Sequence, residues 1–144
     1  DVMMLRDVPS PNLHWPNNRQ SMRRVGFIDI QDGIAGHPAY DVVSLLQDAR
    51  RDLPKDFEGR FKALYVTETG LDAEDFDTAY NIFGVQRNLR ILGIFVWLSK
   101  VQGKSSYLQH IPRVNGYIKA GLAHAALADL RGWFETYVPE VLAT

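Results

Sequence analysis

Apolar residues recur along this chain with two different periods, and the change between them divides it into a short first part and a longer second part. Residues 2–5 are apolar in succession, a run of strand length. Residues 13–15 and 24–30 read as two further short strands. Pro16, Asn17, Asn18, Arg19 and Gln20 lie between them as turn formers and polar residues, so the pair predicts a β hairpin. Gly33 and Gly36 break the pattern from 31 to 37. Pro38 then suits a first helical turn, with Tyr40, Val43, Leu45 and Leu46 apolar behind it, which predicts a helix to about Arg50.

From Pro54 onward the period is helical throughout. Phe57, Phe61, Leu64 and Tyr65 recur at three- and four-residue spacing, and Gly70 is placed to close that helix. Asp72 is placed to cap the next. That third stretch carries Phe76, Tyr80, Phe83, Leu89, Leu92, Phe95, Val96 and Leu98, too many to leave exposed on all sides, and is expected to be the central buried helix, ending near Gly103. Two more helices are predicted over about 106–123 and 126–137, with Pro112 marking a kink or a late start in the first. The fold class is mainly α with a small β hairpin, one domain over residues 1–144, without internal repeat or low-complexity tract.

Composition narrows the chemistry. With 46% hydrophobic and 11% aromatic residues in 144, the chain can bury a real core. Lys plus Arg number 16 against 17 Asp plus Glu, which gives no general pull towards polyanions, so neither nucleic acid nor a membrane is an expected partner. The absence of cysteine removes disulfides, Cys-based metal sites and thiol nucleophiles. The longest apolar or Gly run, 91–98, is far short of the roughly 18 residues a spanning helix needs. A soluble, cytoplasmic location is the expectation. The chain opens at Asp1 with no initiator Met, and with candidate chemistry already at Asp7 it is expected to be a sub-region of a longer protein.

Three residues form a candidate constellation: Asp7, Asn12 and Asp29. If the hairpin pairs Leu13 with Ile28 and Trp15 with Gly26, Asn12 lies opposite Asp29, and directly opposed residues share a face. Pro9 and Pro11 fix their own φ and bias the residues before them away from helix, so the 7–12 segment can curl and bring Asp7 to the same space. Asn12 and Asp29 suit a hard cation such as Mg²⁺, which often takes only one or two protein oxygens beside phosphates and water. Asp7 would remain free for a reacting hydroxyl. The alternative is that these are ordinary turn residues. Val25, Phe27, Ile28 and Ile30 make the second strand look buried on both faces, where a carboxylate needs a partner or a metal, and this favours the functional reading of Asp29.

At residues 5–13 (LRDVPSPNL), 25–32 (VGFIDIQD) and 36–46 (GHPAYDVVSLL) the order and spacing resemble the C-terminal lobe of aminoglycoside phosphotransferase-like kinases, a protein-kinase-like family. Gln31-Asp32, the 86–95 segment (QRNLRILGIF) and Ile111-Pro112-Arg113 are similar to its branch of N-acetylmuramate/N-acetylglucosamine anomeric kinases. The resemblance implies Asp7 as catalytic base and Asn12 and Asp29 as ligands of Mg²⁺ that accompanies ATP. It departs from the family pattern at Leu5, where many relatives have His, and at Pro9. The Gly-rich loop and ATP-orienting lysine of such kinases belong to an N-terminal lobe without a counterpart here, so these residues alone are expected to bind ATP poorly.

Other polar residues carry two readings each. Asp41 in a first helical turn either answers the macrodipole or, as the resemblance implies, braces the catalytic-loop backbone. Asp32 either touches substrate or metal or serves the turn beside Gly33. Gln86, Arg87 and Arg90 are a solvated stripe or polar groups aimed at a sugar or anionic substrate, the stripe being preferred. His14, His37, His110 and His124 lack metal-ligand spacing, and Trp15, Trp97 and Trp133 are expected to pack.

The leading expectation is the catalytic lobe of a Mg-ATP-dependent phosphotransferase acting on a hydroxyl of an amino sugar, an aminoglycoside or a choline-like acceptor, completed by a missing N-terminal lobe of the same protein. A protein kinase is disfavoured because the helix at Pro38 follows Asp29 too closely for an activation segment. The alternative is a catalytically silent helical interaction module.

Overall fold

The computed structural model describes residues 1–6, 8, 10–29 and 33–143, with the backbone alone at Met22; Asp7, Pro9, Ile30, Gln31, Asp32 and Thr144 lie outside the described residues. Among the described residues four short strands precede five α-helices: β1 Val2–Met4, β2 Leu13–His14, β3 Gly26–Phe27, β4 Ile34–Gly36, α1 Ala39–Leu46, α2 Phe57–Thr69, α3 Ala73–Gln102, α4 Ile111–Leu122 and α5 Ala128–Tyr137. The strands form two antiparallel pairs, β1 with β4 and β2 with β3.

Helix α3 is the spine. At 30 residues it is long enough to run through two apolar clusters. The first holds Ala39, Val42, Val43 and Leu46 of α1 against Phe76 and Tyr80. The second holds Val85 and Phe95 against Val114, Ile118 and Leu122 of α4 and Phe134 of α5. Helices α3 and α4 meet closely at Gly121, where a Cβ would come within 2.6 Å of Val85 Cγ2, so only glycine lets the backbones approach this far. The helix stops follow local chemistry. Asp72 accepts the N–H groups of Glu74 and Asp75 at the start of α3, and Gly70 and Gly103 end α2 and α3 in the left-handed region.

Several expectations need correction. Helix α1 ends at Leu46 rather than near Arg50, because the Asp48 carboxylate accepts the Arg50 N–H at 3.0 Å and turns the chain. Helix α2 starts at Phe57, after a turn in which Phe57 donates to the Pro54 carbonyl. A 3₁₀ segment, Ser105–His110, precedes α4, so Pro112 marks a late start and not a kink. The hairpin is joined by a second strand pair that its two glycines concealed, since Gly33 and Gly36 carry no strand signal.

The β2–β3 register is also displaced by one residue. Leu13 faces Phe27 and His14 faces Gly26, so Asn12 sits opposite Ile28, whose N–H donates to the Asn12 carbonyl at 3.0 Å. The connection contains a 3₁₀ turn over Ser21–Arg24, and a connection of that kind does not pin the register as a two-residue turn does. Nor is β3 buried on both faces. Val25, Phe27 and Ile28 are 38–49% exposed, and among the described residues β3 pairs with β2 alone. The three tryptophans do not fill the core either: each is at least half exposed, and Trp15 lies under the Arg24 guanidinium, 4.8 Å from its ring centre.

Candidate functional site

The site is organised by one face of α1. Pro38 precedes the helix in a helical conformation, and His37 Nδ1 accepts the Ala39 N–H at 3.2 Å, so the first turn is capped by an imidazole. Asp41 and Ser44 then follow at i and i+3, which puts them on one side of the helix, and Asp48 lies just past its C-terminal end. Residues 5, 6, 8 and 10 lie along that side.

Each of the three holds different residues among these. Asp41 Oδ2 accepts the Leu5 N–H at 2.7 Å and Oδ1 the Arg6 N–H at 2.9 Å. Ser44 Oγ accepts the Val8 N–H at 3.2 Å. Asp48 Oδ2 accepts the Ser10 hydroxyl at 3.1 Å. Backbone N–H groups of residues on both sides of Asp7 are thereby satisfied by side chains 35 to 36 positions away. Asp7 itself, with Asp32, lies outside the described residues.

Burial makes these bonds matter. Val8 and Ser44 are both buried, so neither polar group has water as an alternative partner. Burial pushes the Asp48 carboxyl up, but the Arg50 N–H, the Arg50 guanidinium and the Ser10 hydroxyl outweigh it and hold the group below its ordinary value. Asp41 is felt from the other side by Tyr65, whose phenol is raised by burial and then by that carboxylate. Arg6 has a φ of 67°, an unusual conformation for a side chain other than glycine, and its N–H is the one fixed by Asp41 Oδ1.

Arg87 does not belong to a solvated stripe. Its Nη2 donates to Ser44 Oγ at 3.1 Å, so it points from α3 into the loop-holding face, whereas Gln86 and Arg90 are exposed as a solvated stripe would have them. One position on, Asn88 is fully buried and donates to Gln47 Oε1 at 2.7 Å, and Gln47 in turn donates to Glu58 Oε1 at 3.1 Å. Tyr80 donates to the same Glu58 oxygen at 2.7 Å, and burial and that carboxylate raise its phenol far above the ordinary range. This second network ties α1, α2 and α3 together without reaching the loop.

Asn12 and Asp29 are brought near each other by the ladder but are not opposed. Asp29 follows Ile28 and adopts a φ of 57°, where the alternation of a strand no longer assigns its face. Its carboxylate is exposed, contrary to the buried setting expected, and has no hydrogen-bond or ion-pair partner among the described residues. Among the described residues no group of three or more His, Cys, Asp or Glu side chains is arranged to hold a metal ion. Ser44 and Asp48 were missing from the sequence reading. A signal was available for Ser44 alone: a polar residue at i+3 from Asp41, on a helix otherwise lined by Val42, Val43 and Leu46, whereas Asp48 lies beyond the helix end, where no periodicity marks it.

No family model matches the chain. It is 39% identical over 139 residues to the N-acetylmuramate/N-acetylglucosamine kinase of Caulobacter vibrioides, which covers 96% of this chain and 38% of that protein. It is 37% identical over 115 residues to the protein of that name from Neisseria meningitidis serogroup B, covering 74% of this chain and 34% of that protein. With the Pseudomonas putida protein of the same name, identity is 31% over 125 residues, covering 81% and 35% respectively. The chain therefore spans little more than a third of the length of these curated relatives, and it resembles them along most of its own length.

Proposed function

We propose that these residues form the catalytic lobe of a small-molecule phosphotransferase that moves the γ-phosphoryl group of Mg-ATP to a hydroxyl of an amino sugar. The observation that carries this reading is the grip of Asp41 and Ser44 on the backbone either side of Asp7, in a chain whose relatives are named N-acetylmuramate/N-acetylglucosamine kinase. A catalytic base acts only when it is held within hydrogen-bond reach of the hydroxyl it deprotonates, and fixing the flanking backbone reduces the freedom of the residue between.

In this reading Asp7 orients the acceptor hydroxyl and takes its proton as the phosphoryl group transfers. Asn12 and Asp29 would hold Mg²⁺. The residue types fit a hard cation, since an amide and a carboxylate are both oxygen donors, and the exposed Asp29 carboxylate has no protein partner among the described residues. The ion, when bound, neutralises charge on the transferred group. Asp32 stays a candidate for contact with substrate or metal. The nucleotide-covering loop and its lysine belong to a lobe outside these residues.

The test is phosphoryl transfer from ATP by the complete protein to N-acetylmuramate, N-acetylglucosamine, an aminoglycoside and choline. Transfer to the two amino sugars, abolished by Asp7→Asn, is the expected result. Transfer unaffected by Asp7→Asn would remove Asp7 from the chemistry.

A further inference from the structure

We infer that Arg87 is a positioning residue for the transfer site, acting through Ser44 on the backbone of residue 8. The inference rests on the proposed function and adds to it a group on a different helix. Ser44 Oγ is the meeting point: it accepts from Arg87 Nη2 at 3.1 Å and from the Val8 N–H at 3.2 Å. A serine oxygen has two acceptor positions, and both are taken by these donors, so the hydroxyl proton must point away from the loop. The rotor is thus set by Arg87. Ser44 is wholly buried, so in the intact protein its oxygen accepts these two bonds without competition from water.

The consequence follows from where the three residues lie. Val8 directly follows Asp7, Ser44 sits mid-way along α1, and Arg87 belongs to the stretch of α3 packed on α1. Asn88, next on α3, bonds Gln47 three residues beyond Ser44. Two neighbouring side chains of α3 therefore grip Ser44 of α1 and Gln47 at its C-terminal end, and the Arg87–Ser44 bond continues to the Val8 N–H of the loop. A small displacement of a residue beside the reacting groups acts on turnover more than on binding.

Three variants of the complete protein test this: Arg87→Met, Arg87→Lys and Ser44→Ala, with the Arg87→Met/Ser44→Ala pair. Arg87→Met is expected to lower kcat about 10- to 100-fold, with KM for ATP and for the sugar changed less than about threefold. Arg87→Lys, which keeps a cationic donor, should recover part of the loss. The double variant should be no slower than the worse single one, because both break the same chain of bonds. Native-state hydrogen exchange supplies a readout independent of activity: protection of the Val8 amide should fall at least about tenfold in Arg87→Met while that of Val43 in α1 holds. Multiplying kcat losses in the double variant, or a loss confined to the sugar KM, would overturn the inference, the latter by making Arg87 a substrate contact. If wild-type protein phosphorylates no acceptor, the proposed function falls, and the Val8 amide alone decides whether Arg87 holds residue 8; unchanged protection there would end the inference as well.

Discussion

The two carboxylate oxygens of Asp41 each take one backbone N–H, Oδ2 from Leu5 at 2.7 Å and Oδ1 from Arg6 at 2.9 Å. A first-turn acid also answers the positive end of α1, so one side chain serves the helix and the loop together. Arg6 itself is left-handed, at about 1–2 kcal/mol for a residue with a Cβ, and turns the chain immediately after the second of these N–H groups.

Asp41→Asn should therefore not behave as a conservative change. An amide supplies one acceptor and turns its NH₂ towards the second N–H, leaving a donor facing a donor. We expect a loss of about 1–3 kcal/mol in denaturant unfolding, together with lowered turnover. Wild-type stability in Asp41→Asn would show that one of the two bonds contributes nothing.

Asp7 and Asp29 should separate kinetically in the complete protein. On the proposed function Asp7→Asn lowers kcat by about 10²- to 10⁴-fold with nucleotide affinity nearly unchanged, because it acts on the acceptor hydroxyl. Asp29→Asn should also weaken Mg-nucleotide binding, since it removes a charged ligand. Calorimetry with Mg-ATP on both variants measures the split, and equal losses of affinity would contradict it.

Asp48 predicts an acid-sensitive step. Its folded pKa lies below the ordinary 3.8, so its contribution is fully present above that value and is lost as pH falls from there through the lower folded pKa. Urea unfolding of wild type and Asp48→Asn at pH 6 and at pH 3 should show the stability gap between them narrowing at the lower pH. A gap that does not change would mean that the bonds from Ser10 and Arg50 do not depend on the charge.

Gly121→Ala tests the α3–α4 contact. The added Cβ would meet Val85 Cγ2 at 2.6 Å inside the second apolar cluster, where Val85 has little room to move. Overpacking there should destabilise by about 1–3 kcal/mol, read as a lowered Tm. Gly116→Ala, with open space at its Cβ position, serves as the control and should be neutral or slightly stabilising.

What the chain dictates locally, it dictates well. Asp72, Gly70, Gly103 and Pro112 mark helix ends because a cap or a missing N–H acts on groups a few residues away, and each stands where those rules put it. The apolar spacing of Phe76, Tyr80 and Phe95 likewise makes α3 central, while Val96 of the same stretch is exposed. The tertiary structure alone decided that β1 pairs with β4, that Asn12 faces Ile28 rather than Asp29, and that Arg87 turns inward. Exposed two-stranded pairs carry no buried face to fix their register, and an arginine on a helix is solvated or inward according to what lies 43 residues away. The same holds for Ser44 and Asp48, whose roles exist only because the Val8 N–H and the Ser10 hydroxyl lie beside them. Partners that distant leave no mark in a local pattern, because burial and hydrogen-bond demand are properties of the assembled fold.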